Sequence, residues 1–183
     1  MYTGTVWGIT LIVLGSLLSL GALQLVTTAT APGLVGQASR NLEQASGKRL
    51  VLLFLCGAVL MTAWIVALNL FGNGGPIQKV IALPAVILGA LSIAPAFAAS
   101  SLYIGGRLPD PRDATSPWRQ LVRGATALGL SWAVPVVGWF LILPVTLAVG
   151  LTAVMMAVFQ GPERAEAGRA FLLRAPGATE AAA

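Results

Sequence analysis

Histidine does not occur in this chain, and cysteine occurs once, as Cys56. Without histidine there is no imidazole acid–base chemistry, no His-ligated haem and few routes to a zinc site. One cysteine allows no intrachain disulfide, and inside an apolar run Cys56 reads as a small buried or lipid-facing hydrophobe. Charge is equally scarce: Asp, Glu, Lys and Arg make up 9% of 183 residues, against 57% hydrophobic. A water-soluble domain of this length needs a charged shell of about 25% of its residues, which this chain cannot supply. Nor does it show the short apolar–polar alternation of a membrane barrel. Backbone groups inside a bilayer must be satisfied internally, so the expected fold class is all-α, a polytopic transmembrane helical bundle.

The apolar residues fall into long blocks. The first runs from about Val6 to Ala31 and is closed by Pro32-Gly33, with Trp7 near its outer end as an interfacial aromatic. Its opening residues lack a positive n-region, so it is read as a retained first span. A polar loop follows from Gln37 to Arg49, in which Ala38 to Ala45 is expected to form a short surface helix. The second block, Leu50 to Phe71, ends in Asn73-Gly74-Gly75-Pro76, a strong turn signal. It forms an antiparallel hairpin with the third, Val80 to Ile104. The third carries Pro84, Pro95 and many small residues that favour close packing, and is expected to be the most buried helix.

After a basic, proline-rich loop from Arg107 to Pro117, the region Pro117 to Phe159 would measure about 64 Å as one helix, roughly twice a membrane. Pro135, Gly138 and Trp139 mark the expected break. Charge decides its form. If the region crosses once, seven basic residues lie on one side and four on the other. If Pro135–Gly138 is the tip of a helical hairpin, the split is ten to one, with Lys79 alone. The positive-inside rule favours the second. The expectation is therefore three full spans plus a C-terminal helical hairpin, a single transmembrane domain over residues 1–160 and a short cytoplasmic tail over 161–183. The N-terminus is then outside, and Arg169 to Arg174 lies on the membrane surface as an amphipathic turn.

The formal net charge of +5 is explained by basic loops beside the spans, and no basic, aromatic-interleaved domain points to nucleic acid. No Asp, Glu, Lys or Arg occurs between Val6 and Ala31, Leu50 and Phe71, Val80 and Ile104, or Gly124 and Phe159. Such residues mark ion and proton paths, so proton-coupled transport is disfavoured. Gln24 and Asn69 are the candidate interhelical polar contacts, each worth about 1 kcal/mol. Asp110 and Asp113 flank Arg112 and read as self-paired or solvated. Ser100, Ser101 and Ser116 have no candidate base. No catalytic or metal-ligating residues and no cofactor are expected, and the sequence singles out no cofactor-binding residue.

Several short stretches resemble a known module: Gly106-Arg107-Leu108, Ser116-Pro117, Gly129-Leu130, Pro135-Val136-Val137-Gly138-Trp139 and Gly150-Leu151-Thr152-Ala153. Together they look like the C-terminal module of bacterial polytopic membrane proteins related to those found with polymer-forming cytoskeletal (bactofilin-type) proteins. The resemblance implies a bacterial membrane protein of scaffolding type and a break at Pro135. The expected function is a non-enzymatic accessory or scaffold subunit in the bacterial inner membrane, contacting lipid and other integral subunits. The rival expectation is a small channel or transporter component acting as a homo-oligomer.

Overall fold

Proline sets where the helices begin. It opens α2 (Pro32–Glu43), α4 (Pro76–Arg107), α5 (Pro117–Trp132), α6 (Pro135–Val137) and α8 (Pro162–Leu173), because its missing N–H falls where an amide has no intrahelical partner anyway. The other helices are α1 (Tyr2–Thr30), α3 (Gly47–Asn73) and α7 (Leu143–Phe159), the last preceded by a π-helical turn over Gly138–Ile142. The computed structural model describes residues 2–108, 116–132 and 134–173. All regular structure among them is helical, and the protein is an all-α helical membrane bundle. Three stretches are long and apolar enough to cross a membrane: Gly47–Asn73, Pro76–Arg107 and Gly138–Phe159. A fourth candidate is a bent pair made of Leu18–Thr30 and Pro32–Glu43.

The Asn73–Pro76 turn makes α3 and α4 an antiparallel hairpin, with the Gln78 side chain accepting a bond from the Gly75 N–H at 2.9 Å. Across this hairpin Trp64 Nε1 donates to the Val86 carbonyl at 3.3 Å. Further along, α7 runs antiparallel to α3. Gly57 faces the Ala148 backbone, and the Thr152 hydroxyl donates to the Leu53 carbonyl at 2.8 Å. The same helix crosses α4, with Gly150 against Ala96 and the Ser100 hydroxyl on the Thr146 carbonyl at 3.4 Å. α5 lies antiparallel on the C-terminal half of α4. A side chain at Gly124 would collide with the Ser101 carbonyl, and one at Gly105 with that of Gln120. Glycine here lets two backbones touch, the usual means of helix association where lipid offers no hydrophobic drive.

The helix expected to be most buried is so only in its second half. Pro95 to Leu102 are all buried, but between residues 58 and 92 of the α3–α4 hairpin only Ala67 and Ala82 are. The most enclosed apolar window is that of Gly138–Phe159, half buried against 22% for α4. Its position between α3, α4 and α2 accounts for the difference.

The break near Pro135 has a definite form. α5 stops at Trp132, α6 starts at Pro135, and the helix then continues through the π turn, where the Leu143 N–H reaches back to the Gly138 carbonyl. Pro144 supplies a physical reason. It has no N–H, and its ring presses on the turn before it, which a widened turn relieves. Gly138 is buried, whereas Trp139 is exposed. The chain leaves the end of the bundle near Pro32 at Pro117 and is back beside α2 at Gln160. That is a hairpin path, with each arm packed on α4 more than on the other arm.

Substituting Gly124→Leu is expected to cost about 1–3 kcal/mol by overpacking, read as a fall of several degrees in the thermal midpoint in detergent. Gly72→Ala, where a Cβ meets nothing within 4 Å, is expected to hold the midpoint or raise it slightly.

Candidate functional site

The chain bends by 105° between α1 and α2. The bend falls at Ala31, in a non-helical conformation (φ −127°, ψ 55°) immediately before Pro32, whose ring disfavours the helical region for the residue before it. It turns α2 into the bundle. The segment expected as a short surface helix is longer than expected and largely buried: Val35 through Ser39 and Leu42 are enclosed. The reason is spacing. Val35, Ala38 and Leu42 fall on one face at helical intervals and meet apolar residues on five other helices. Val35 packs with Ala98, Leu102, Leu121 and Leu172. Ala38 and Leu42 join Leu53, Phe97, Leu147, Leu151 and Val154.

The first half of the segment expected as a tail is α8, and it is docked on α2. Gly161 (φ +83°) makes the turn from α7, a conformation that costs glycine little. The two short helices then meet backbone to backbone. A Cβ at Gly168 would stand 2.5 Å from the Gly33 carbonyl oxygen and 2.6 Å from the Gln37 nitrogen, and one at Gly36 would collide with the Gly168 carbonyl. Arg169 to Leu173 therefore belongs to a packed helix, with Leu172 buried. Arg174 lies outside the described residues.

Polar groups secure this end. Gln37 Nε2 donates to Gln160 Oε1 at 2.8 Å and to Asn41 Oδ1 at 3.4 Å. Arg40 donates to the Ala167 carbonyl at 3.2 Å, and Asn41 to the Ala153 carbonyl at 3.4 Å. Around them lies a cleft of about 590 Å³ lined in part by Arg40, Gln44, Arg49 and Arg164. Its polar lining is amide and guanidinium, a set of donors suited to water or anions, with no carboxylate or thiol to act as base or nucleophile. Glu43 lies between the fields of Arg40 and Arg107. Desolvation raises its carboxyl above the ordinary value, against the lowering pull of both arginines.

Of the residues singled out from sequence, Gln24 is buried. Its side-chain oxygen accepts the Ser101 hydroxyl at 2.8 Å, joining α1 to α4, while Thr28 donates to its backbone carbonyl. Asn69 does not meet a neighbour in this way. It is exposed, because two residues beyond the buried Ala67 it points about 200° round the helix from the packed face. Cys56 is also exposed, on the apolar outer surface of α3. The Asp110–Asp113 loop lies outside the described residues. Sequence reasoning missed Gln37, Asn41 and Gln160. The signal available was the amphipathic pattern of α2, which places Gln37 and Asn41 one turn apart.

Two apolar grooves complete the surface. One of about 540 Å³ lies between α1 and α5, and one of about 430 Å³ lies among α3, α4 and α7. The architecture defines a helical, multi-pass membrane protein. No family model, curated protein or solved structure matches the chain.

Replacing Gln37 by Leu leaves Gln160 without its partner, at a cost of about 1–3 kcal/mol. Amide exchange in α8 is expected to accelerate roughly tenfold or more, while exchange in the outer α3–α4 hairpin stays unchanged.

Proposed function

We propose that the protein is a non-enzymatic accessory or scaffold subunit of a larger assembly in a bacterial inner membrane. The observation that carries this reading is the uneven packing of the α3–α4 hairpin. Its inner half is locked by α7, α5 and α2, whereas its outer half, residues 58–92, buries only Ala67 and Ala82. Val59, Ile65, Ile81, Leu88 and Leu91 are exposed there, together with small residues such as Ala63, Ala85 and Ala90. A two-helix arm with apolar and small residues on its open faces is a natural seat for helices of another subunit.

The orientation follows from charge. Arg40, Lys48, Arg49, Arg107, Arg119, Arg123, Arg164 and Arg169 sit on helices or helix ends that converge on α2 and α8, while Lys79 lies at the far turn. The positive-inside rule places the α2–α8 end in the cytoplasm, with the N-terminus outside.

Gentle extraction from native membranes is expected to yield the chain in fixed ratio with larger integral subunits. In a Cys56→Ser background, a cysteine placed at Leu88 is expected to cross-link to such a subunit. Recovery only as a lone homo-oligomer, with Leu88→Cys linking to itself, would overturn the accessory reading and favour a homo-oligomeric channel or transporter component.

A further inference from the structure

The apolar groove between α1 and α5 is followed, at the basic end of the bundle, by a second cavity. Leu25 of α1 lines the groove, and Thr28, about one turn further on, lines this second cavity of about 150 Å³. The same step occurs on α5, where Leu121 lines the groove and Trp118, one turn back, lines the smaller cavity. Groove and cavity are thus successive parts of one seam. Their chemistry differs. The groove is walled by Leu18, Gly21, Leu25, Leu121, Ala125 and their neighbours, almost all carbon. The smaller cavity brings in Arg169 from α8, beside Trp118 and Pro117 at the start of α5. A helix N-terminus carries partial positive charge and favours anions. Arg169 supplies a full charge and a planar fork of donors suited to phosphate.

We infer that this seam holds one anionic phospholipid, with an acyl chain in the α1–α5 groove and its phosphate against Arg169 and the N-terminus of α5. Three observations select this occupant. The groove lining extends from Leu14 to Leu25 along α1, about 17 Å at 1.5 Å per residue. That is close to one leaflet, half of a hydrocarbon core of about 30 Å. An acyl chain ends within a leaflet, whereas a partner helix crosses both. The charged end of the seam coincides with the end of the bundle where eight of the described basic residues gather, the arrangement by which basic pockets between membrane helices take anionic headgroups. Finally, Trp118 lines the smaller cavity about one turn from the groove and is half exposed, a placement that suits an indole ring bridging apolar and polar surroundings.

The test uses the full chain in nanodiscs of equal phosphatidylglycerol and phosphatidylcholine, released into the gas phase for native mass measurement of retained lipid. One phosphatidylglycerol per chain is expected, favoured over phosphatidylcholine by about tenfold or more. Arg169→Gln, at an exposed position, is expected to bring that preference close to parity, and Arg169→Lys to keep part of it. Gly21→Phe is expected to abolish retention of both lipids. A Cβ there meets nothing within 4 Å, so the ring fills the groove without disturbing the helix contacts, which an unchanged thermal midpoint verifies. Equal retention of the two lipids by the wild-type chain would overturn the inference, as would either Arg169→Gln or Gly21→Phe retaining phosphatidylglycerol as the wild type does.

Discussion

Helices in a bilayer gain nothing by hiding leucines from lipid, so a lasting contact must come from backbones close enough for dispersion and hydrogen bonding. The closest backbone approaches in this protein answer to that constraint. α5 reaches the α4 backbone through Gly105 and Gly124, α7 reaches α3 through Gly57 and α4 through Gly150, and α8 reaches α2 through Gly36 and Gly168. Other interhelical bonds come from short hydroxyls, as from Ser101 to Gln24 and from Thr152 to Leu53, and from the longer Gln37, Arg40 and Trp64 side chains. The large apolar side chains point mostly outward, as Leu11, Val59, Ile81, Phe140 and Phe159 do. This is the reverse of a soluble core.

Much of this was legible in the sequence, for identifiable reasons. Block length and hydropathy gave the helices, since nothing else satisfies a backbone in hydrocarbon. Asn73-Gly74-Gly75-Pro76 gave the hairpin, and Pro135-Gly138 the region of the break, because local turn chemistry does not depend on distant partners. Gln24 was legible as a rare amide in an apolar run. Asn69 was rare in the same way, yet it faces outward. Composition shows that a polar group is present but not which side of a helix a neighbour will cover. The pairing of α2 with α8 was not legible, because it joins residues more than 120 positions apart and is written in four small residues, Gly33, Gly36, Ala165 and Gly168. The π turn was hidden for another reason. Pro144 announces a disturbance, but bend, break and widened turn are alternative responses to it, and the surrounding packing chooses among them.

Charge and packing also place the polar chemistry together. Basic residues spaced widely along the sequence converge because they lie on α2 and α8 or in the halves of α3, α4 and α5 that pack nearest them. Gln37, Asn41 and Gln160 then satisfy one another where the chain passes between helices. A polar layer of amides and guanidinium groups at the end of a bundle fixes geometry and attracts anions, but it moves no protons near neutral pH.

The two ends of the bundle are therefore built on different terms. At the α2–α8 end, six helices are held by backbone contact, by two apolar clusters that share α2 and α4, and by amide bonds. At the other end, α3 and α4 extend with one interhelical side-chain bond, from Trp64 to Val86, and a pair of buried alanines. Stability in such a molecule is not uniform. The tight end sets the angle at which the arm leaves the bundle, since α7 and α5 grip α4 between Ala96 and Gly105, and the arm inherits that angle through a continuous helix. Two prolines lie along it, Pro84 in the open half and Pro95 within the gripped half. The proline inside the grip is fixed by its neighbours. The one outside removes a backbone bond where no third helix stiffens the arm, so the arm can adjust its curvature to what it packs against while its root stays in place.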